Sequence, residues 1–158
     1  FMSLLRQFNV ISSMRNLDQS SRSGRGRDNM SDIPSELLYT KEHEWIRIDG
    51  DEIIVGITDY AQNALTDVVW VEIDQGLEGT EVAEMEAFCS VESVKSVSEI
   101  FSPISGTIVS FNMTLEDSPE QLNNSPYEEG WIARIRPSDL DDVQNLLDAD
   151  GYAKVIGE

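Results

Sequence analysis

The chain is poor in the residues that build redox and metal sites. Its 158 residues include one cysteine, Cys89, and one histidine, His43. A single cysteine forms no internal disulfide, which suits a reducing compartment, and a structural zinc site needs four Cys or His ligands. Cys89 lies in the apolar alternation AFCSVESV, so we expect a packed core cysteine rather than a catalytic thiol activated by His43.

Positive charge is scarce beyond residue 30. Residues 31–158 hold six Lys and Arg against 28 Asp and Glu, a net charge of −22, whereas residues 1–30 hold five arginines and two acids. Such a field repels phosphate backbones and anionic headgroups, so we expect no nucleic-acid partner and no membrane partner. No apolar run approaches the roughly 18 residues of a membrane span. The acidity favours basic partner surfaces, or it serves solubility alone.

The first thirty residues differ in composition from the rest. Residues 12–29 are rich in Ser, Arg and Gly and lack hydrophobic periodicity, which is typical of a segment that does not order itself. We expect residues 1–30 to form a flexible extension and residues 31–158 to form a single domain. The Arg and Ser content resembles a mitochondrial presequence, but Met30 before Ser31 and Asp32 is typical of a natural start. This favours an appended or upstream extension over a targeting segment.

Short strand patterns dominate from residue 37 onward. Residues 45–48 alternate apolar and charged side chains, residues 49–51 read Asp-Gly-Asp, and residues 53–57 return, which predicts a hairpin. Further strands are predicted at 68–73, at 88–94 and within 97–111, where Pro103 and Gly106 interrupt the run. Strands at such even spacing are typical of a β-sandwich or barrel.

Three short helical segments are predicted around these strands. Asp59 has the position of a helix start for residues 59–65, and residues 116–124 form a second segment. Ser138 is expected to cap a third segment, whose apolar residues recur at helical spacing and should cover the core: Leu140, Val143 and Leu147. No Gly-rich turn joins a strand to a helix, so a bound nucleotide is not expected.

Lys95 is one of three lysines after residue 30 and lies in the run VESVKSVSEIFSPISG. In a domain poor in cations, a lysine among valines and serines is a candidate for covalent modification, although most lysines are unmodified. Four strings occur in the order YTKEHEW, GITDYAQ, VESVKSVSEIFSPISG and SPYEEGW. Their order and spacing resemble the glycine cleavage system H-protein family over residues 34–155.

The resemblance implies a mainly β fold, a barrel-sandwich hybrid related to lipoyl and biotinyl domains, with a few short peripheral helices. Lys95 matches the lysine that carries lipoate in an amide bond at a hairpin tip, although no Asn-Gly or Asp-Gly pair marks the turn. Glu92 and Gly106 match positions that lipoate-attaching enzymes recognise, and a glycine allows close backbone approach. Glu44 and Glu99 match acids that shield the loaded arm in a partly wet cleft.

The resemblance also implies a carrier rather than an enzyme. A pyridoxal phosphate glycine decarboxylase would load an aminomethyl group, and a tetrahydrofolate-dependent aminomethyltransferase would remove its one-carbon unit. A dihydrolipoyl dehydrogenase with FAD would then reoxidise the dithiol with NAD. A lipoate ligase or an octanoyltransferase would modify Lys95. The implied location is the bacterial cytoplasm, with the mitochondrial matrix as the alternative.

Other functions stay open at this point. A 2-oxoacid dehydrogenase lipoyl domain normally has Asp before the lysine, and a biotin carrier has Met on both sides, whereas Val94 and Ser96 stand here. A carrier that relays lipoyl groups to other enzymes would need the same hairpin. A small enzyme built on His43 and Cys89 would show turnover without partners. One departure from the family pattern, Met85 where glycine is common, predicts a different turn before the next strand.

Overall fold

The computed structural model describes residues 31–158, so the extension expected at residues 1–30 lies outside the described part. Within that part, nine strands pair in antiparallel fashion: β1 (Leu38–Tyr39), β2 (Glu44–Asp49), β3 (Glu52–Ile57), β4 (Val68–Glu72), β5 (Glu81–Val82), β6 (Ala87–Ser93), β7 (Val97–Phe101), β8 (Gly106–Phe111) and β9 (Ala133–Pro137). The helices are α1 (Asp59–Leu65), α2 (Thr114–Asp117), α3 (Gln121–Asn124) and α4 (Ala149–Val155), with 3-10 turns at Gln75–Leu77 and Leu140–Asn145.

The strands form two sheets that share one apolar core. The larger sheet has the order β1-β2-β3-β9-β8-β5, and the smaller has the order β4-β6-β7. Both sheets contribute to the core, for example through Ile53 and Ile135 from the larger sheet and Val91 and Ile100 from the smaller. Each such burial contributes about 1.5 to 3 kcal/mol before entropy is subtracted. The fold is therefore mainly β, a barrel-sandwich hybrid with short peripheral helices, as predicted.

The hairpin predicted at residues 45–57 is confirmed. Asp49 pairs with Glu52 across a two-residue turn, and Gly50 in that turn has φ +67, a conformation that glycine adopts without steric cost. At the other end of the hairpin Gly56 faces Trp45, and a Cβ at Gly56 would come within 2.6 Å of the indole. The glycine of GITDYAQ thus leaves room for the tryptophan of HEW.

A second, aromatic cluster fixes the C-terminal helix to the hairpin. The Trp45 indole is fully buried and donates its Nε1–H to the Pro126 carbonyl at 2.9 Å. The Tyr39 and Tyr152 rings stack with centroids 4.8 Å apart, and the Tyr152 hydroxyl lies 2.7 Å from Thr58 Oγ1. This cluster joins α4, which the sequence patterns missed, to the strings YTKEHEW, GITDYAQ and SPYEEGW.

Two helix caps differ from the prediction. Thr58, not Asp59, caps α1, because its hydroxyl accepts the Ala61 N–H while Asp59 accepts a hydrogen bond from the Gln62 amide. Asp139, not Ser138, caps the last 3-10 turn by accepting the Asp141 N–H. In both places the capping side chain is one residue away from the predicted cap, because its oxygen is the one that meets an unpaired N–H group of the first helical turn.

The two later helical predictions were also wrong in form. The segment predicted at 116–124 is two single-turn helices, α2 and α3, separated at residues 118–120. The segment after Asp139 is a 3-10 turn in which Val143 is buried but Leu140 is exposed. An apolar spacing of three or four residues does not distinguish an α-helix from a 3-10 turn when the segment is this short.

Met85 occupies the turn before β6 in a backbone conformation that glycine favours. Its φ is +66, and its N–H donates to the Ser102 carbonyl at 2.8 Å. Its side chain packs against the main core. A left-handed conformation costs a non-glycine residue about 1 kcal/mol, so the turn keeps a glycine-type conformation at that cost.

Candidate functional site

Lys95 lies at the tip of the hairpin formed by β6 and β7. Glu92 pairs with Val97 as the last pair before the tip, and the Ser93 N–H donates to the Ser96 carbonyl at 2.8 Å to close it. The Lys95 side chain is exposed, and within residues 31–158 no ion pair includes it. The amine of Lys95 is thus presented to solvent on a closed turn.

Ser93 holds the turn, and sequence reasoning missed it. Its buried hydroxyl accepts the N–H groups of Lys95 and Ser96, each at 3.2 Å. The Val94 N–H donates to the Asp67 carbonyl at 3.0 Å, which ties the tip to the segment before β4. A serine that accepts the N–H of residues two and three positions later forms a side-chain turn. In the sequence, a serine two residues before the lysine was the signal that could have predicted this side-chain turn.

Glu92 and Gly106 lie in different surroundings. Glu92 is exposed on β6, between Trp70 of β4 and Val97 of β7 in the strand register. Gly106 is buried at the start of β8 in the other sheet, where a Cβ would overlap the Arg136 carbonyl oxygen of β9. The close backbone approach expected of this glycine is therefore present, as a contact between neighbouring strands.

Glu44 is buried, not partly wet as expected. Its side chain is 0% exposed; Oε1 accepts the Thr40 hydroxyl hydrogen at 2.7 Å, and Oε2 accepts the Phe101 N–H at 3.3 Å. Burial raises the pKa of Glu44 to about 8, although these two hydrogen bonds oppose the rise. Near neutral pH the carboxyl is therefore mostly protonated and attracts a cation weakly. A cation held close to it would lower its pKa and favour the charged carboxylate.

Glu99 lies between the exposed tip and the buried Glu44. Alternation along β7 places Val97, Glu99 and Phe101 on one face, and this face changes from exposed to half-buried to fully buried. The Phe101 N–H is the group that meets Glu44. β7 therefore leads from the Lys95 tip past the Glu99 side chain to the backbone N–H that meets Glu44.

Glu42 is a third acid, next to Glu44, and sequence reasoning gave it no role. Its N–H donates to the Thr40 hydroxyl at 3.2 Å, the same hydroxyl that contacts Glu44. Its Oε2 is buried and lacks a hydrogen-bond partner among residues 31–158, and burial raises its pKa. Its position in the EHE string was the signal.

Residues 37–158 match the family model described as glycine cleavage H-protein. This chain belongs to the glycine cleavage H-protein family. The glycine cleavage system H protein of Geobacillus thermodenitrificans is 54% identical over 125 residues, covering 79% of this chain and 97% of that protein. A Thermus thermophilus H protein is 51% identical, covering 79% and 96%. The crystal structure of a Mycobacterium marinum H protein matches with a TM-score of 0.71 and 38% identity, covering 80% of this chain and all of that chain.

An H protein of this family is a lipoyl carrier and not a catalyst, and the surroundings of His43 and Cys89 suit that role. Cys89 packs in the main core, where burial raises its pKa to about 12. His43 contacts Tyr60 and Tyr152, and burial lowers its pKa to about 4. Both groups are therefore uncharged at neutral pH, which suits a packed side chain rather than an activated thiol.

The described part of this H-protein chain lacks two other features. Residues 31–158 contain no group of three His, Cys, Asp or Glu side chains arranged to hold a metal ion. In the same range no helix is long and apolar enough to cross a bilayer.

Proposed function

We propose that Lys95 carries lipoate in amide linkage and that this chain is the lipoyl shuttle of the glycine cleavage system. The observation that carries the proposal is an exposed lysine at the closed tip of a hairpin in a chain of the H-protein family. Bound lipoate would supply a disulfide that accepts an aminomethyl group and is later reoxidised. The role of the chain is to present and shelter that arm.

The residues at the tip fit this cofactor. An amide forms when the Lys95 nitrogen attacks an activated lipoyl carbonyl, the bond to the leaving group breaks, and the nitrogen loses its extra protons to solvent. The attacking group must therefore enter another protein's cleft in a fixed geometry. The hydrogen bonds from Lys95 and Ser96 to the Ser93 hydroxyl fix the backbone on which the amine stands.

The proposed partners are the other components of the system and one modifying enzyme. They are the glycine decarboxylase with pyridoxal phosphate, the aminomethyltransferase with tetrahydrofolate, dihydrolipoyl dehydrogenase with FAD and NAD, and a lipoate ligase or octanoyltransferase. We propose the bacterial cytoplasm as the location, in keeping with bacterial relatives. A role limited to relaying lipoyl groups is not favoured, since these relatives carry the glycine cleavage name.

The acids near the tip support a sheltering role for the chain. Glu99 is half-buried on the face of β7 that leads from the tip, and an ammonium at the end of the loaded arm would meet its carboxylate first. Glu44 lies deeper, and an approaching ammonium would lower its raised pKa and restore its charge. We therefore propose Glu99 as the principal shielding residue, with Glu44 as a second. Glu92 and Gly106 stay proposals as recognition residues.

Peptide mass spectrometry of the protein from lipoate-replete cells tests the central proposal. We expect a lipoyl mass on Lys95 in the wild type and in Lys154→Arg, a matched change at another exposed lysine. Lys95→Arg should fold normally and lack the lipoyl mass and all carrier activity, because a guanidinium does not form this amide. An unmodified Lys95 in cells whose other lipoyl proteins are modified would refute the proposal.

A further inference from the structure

Exposed apolar side chains gather around the Lys95 tip. Among residues 31–158, seven large apolar side chains are strongly exposed, and four of them belong to the strands and turn at this tip: Val69, Trp70, Val94 and Val97. Trp70 is 50% exposed and Val94 is 65% exposed. We call these four residues the tip patch.

The strand register explains how the tip patch forms. Trp70 pairs with Glu92, and Glu92 pairs with Val97, so the three residues lie in one row across the smaller sheet. A bulge in β4 places Val69 as an extra residue between the pairs of Val68 and Trp70. The bulge breaks the alternation of β4, which leaves two consecutive apolar residues exposed.

Folding alone does not require this arrangement. A tryptophan side chain buries 150 to 250 Å² when it is covered, so a half-exposed one leaves stabilising area unused. Single exposed apolar residues are ordinary, but exposed apolar residues concentrated in one region of the surface are typical of a binding surface. Val94 precedes Lys95 in the turn and Val97 begins the strand after it, so the tip patch adjoins this lysine.

We propose that the tip patch is the docking surface for the enzyme that acylates Lys95, an inference that rests on the function proposed above. Before modification the Lys95 amine extends only the length of its four-carbon stem, so an acylating enzyme must contact the residues next to the tip. After modification the arm is much longer, and the partners that use it can bind farther away.

The charges around the tip patch define the partner's surface. Glu92 lies in the row between Trp70 and Val97, and Glu72 and Asp67 are exposed on and before β4. A fitting enzyme has an apolar recess for Trp70 at the mouth of its acyl channel and basic side chains around that recess. The apolar contact supplies the affinity, and the opposite charges fix the orientation.

The test measures acylation of unmodified protein by a purified lipoate ligase with lipoate and ATP, followed by intact mass. We expect Trp70→Ala to lower kcat/KM about tenfold or more, through a raised KM, as when a central interface aromatic is removed. Ile48→Ala is the matched control, because Ile48 is 49% exposed on the other sheet, and it should stay within about twofold of wild type. Val69→Ser provides a second patch variant, and thermal unfolding by circular dichroism verifies folding of each.

The second measurement uses carriers lipoylated to completion at high ligase concentration. With the purified glycine decarboxylase, lipoylated Trp70→Ala should react within about threefold of wild type. The docking proposal is wrong if the ligase acylates folded Trp70→Ala and Val69→Ser with the same kcat/KM as Ile48→Ala. In that case Lys95 would still be modified, and the proposed function would stand. If Trp70→Ala slows the reaction with the decarboxylase as much as it slows lipoylation by the ligase, the patch is not specific to the acylating enzyme, and the proposed partner is wrong. An unmodified wild-type protein would instead refute the proposed function.

Discussion

At the scale of single residues, Lys95 is distinguished by its backbone rather than by its exposure. Lys41 and Lys154 are exposed as well, but Lys41 lies in the turn before β2 and Lys154 on the surface of α4. The Lys95 N–H is held by the Ser93 hydroxyl at the end of the β6–β7 hairpin, and the neighbouring Val94 N–H donates to the Asp67 carbonyl before β4. These contacts on both sides of the turn hold the backbone of Lys95 in a fixed geometry for a modifying enzyme.

Glu44 should make the stability of the protein depend on pH. Burial raises the pKa of Glu44 from 4.5 to about 8, so between these values the folded state binds a proton that the unfolded state has lost. Its contribution is therefore complete below pH 4.5 and falls as pH rises toward 8. Relative to Glu44→Gln, the unfolding free energy of wild type should fall by a few kcal/mol over this range.

Urea unfolding of both proteins at a series of pH values measures that difference. The comparison with the variant is needed because His43 has the opposite dependence: burial lowers its pKa from 6.5 to about 4, so its contribution is lost as pH falls. Glu92→Gln, at an exposed carboxylate, should show a much smaller change. A wild-type minus Glu44→Gln difference that is flat from pH 4.5 to 8 would contradict the buried neutral carboxyl.

Glu99 should slow the hydrolysis of the loaded carrier. A charge-assisted hydrogen bond from its carboxylate to the terminal ammonium is worth about 1.5 to 3 kcal/mol, so Glu99→Gln should accept the aminomethyl group yet lose it about tenfold faster. Decay of loaded protein without the aminomethyltransferase is followed by intact mass. Glu81→Gln serves as the control at an exposed acid of β5, in the other sheet. Equal half-lives for wild type and Glu99→Gln would mean that Glu99 does not shield the arm.

At the scale of elements, the contact between β8 and β9 depends on Gly106. A Cβ there would overlap the Arg136 carbonyl oxygen and lie 3.0 Å from the Ile135 side chain. Gly106→Ala should therefore destabilise the protein by about 1 to 3 kcal/mol, as overpacking does. Urea unfolding measures this, with Gly76→Ala as the control, since a Cβ at Gly76 would meet only the Asp74 side chain.

The same variant separates two roles for Gly106. If the glycine matters only for packing, folded Gly106→Ala protein should be lipoylated at close to the wild-type rate. If modifying enzymes recognise Gly106 directly, the lipoylation rate of Gly106→Ala should fall by a larger factor than its folded fraction does. A Gly106→Ala protein as stable as Gly76→Ala would contradict the packing argument.

At the scale of the whole molecule, charge should govern association. Residues 31–158 carry a net charge of −22, and three of their six cations, Arg47, Arg134 and Arg136, already pair with acids within the fold. The remaining field attracts basic partners over a Debye length of about 8 Å at physiological ionic strength. We expect association with the glycine decarboxylase to slow about tenfold or more from low salt to several-fold physiological salt.

Stopped-flow association of lipoylated protein with the decarboxylase measures this dependence. Circular dichroism at the highest salt verifies that the carrier stays folded. A rate that stays constant across the series would show that the acidic surface does not steer this partner and serves another purpose, such as solubility.

Sequence patterns determined the elements that local rules control. Period-two alternation and an Asp-Gly turn predicted the β2–β3 hairpin, since a two-residue turn sets the strand register by itself. Isolated breaks at Pro103 and Gly106 predicted the separation of β7 from β8. The order of four strings predicted the family, and Lys95 followed from its place in one of them. These features need no knowledge of distant contacts.

Only the tertiary structure decided the surroundings of each side chain. The buried Glu44 carboxyl accepts a hydrogen bond from the Phe101 N–H, 57 positions away, and no local pattern contains that contact. The Lys95 turn has no Asn-Gly pair because the Ser93 hydroxyl and the Asp67 carbonyl hold it instead. The tip patch depends on a bulge in one strand and its register with two others. The burial of Glu44, its raised pKa and the tip patch all depend on residues that are distant in sequence and that only folding brings together.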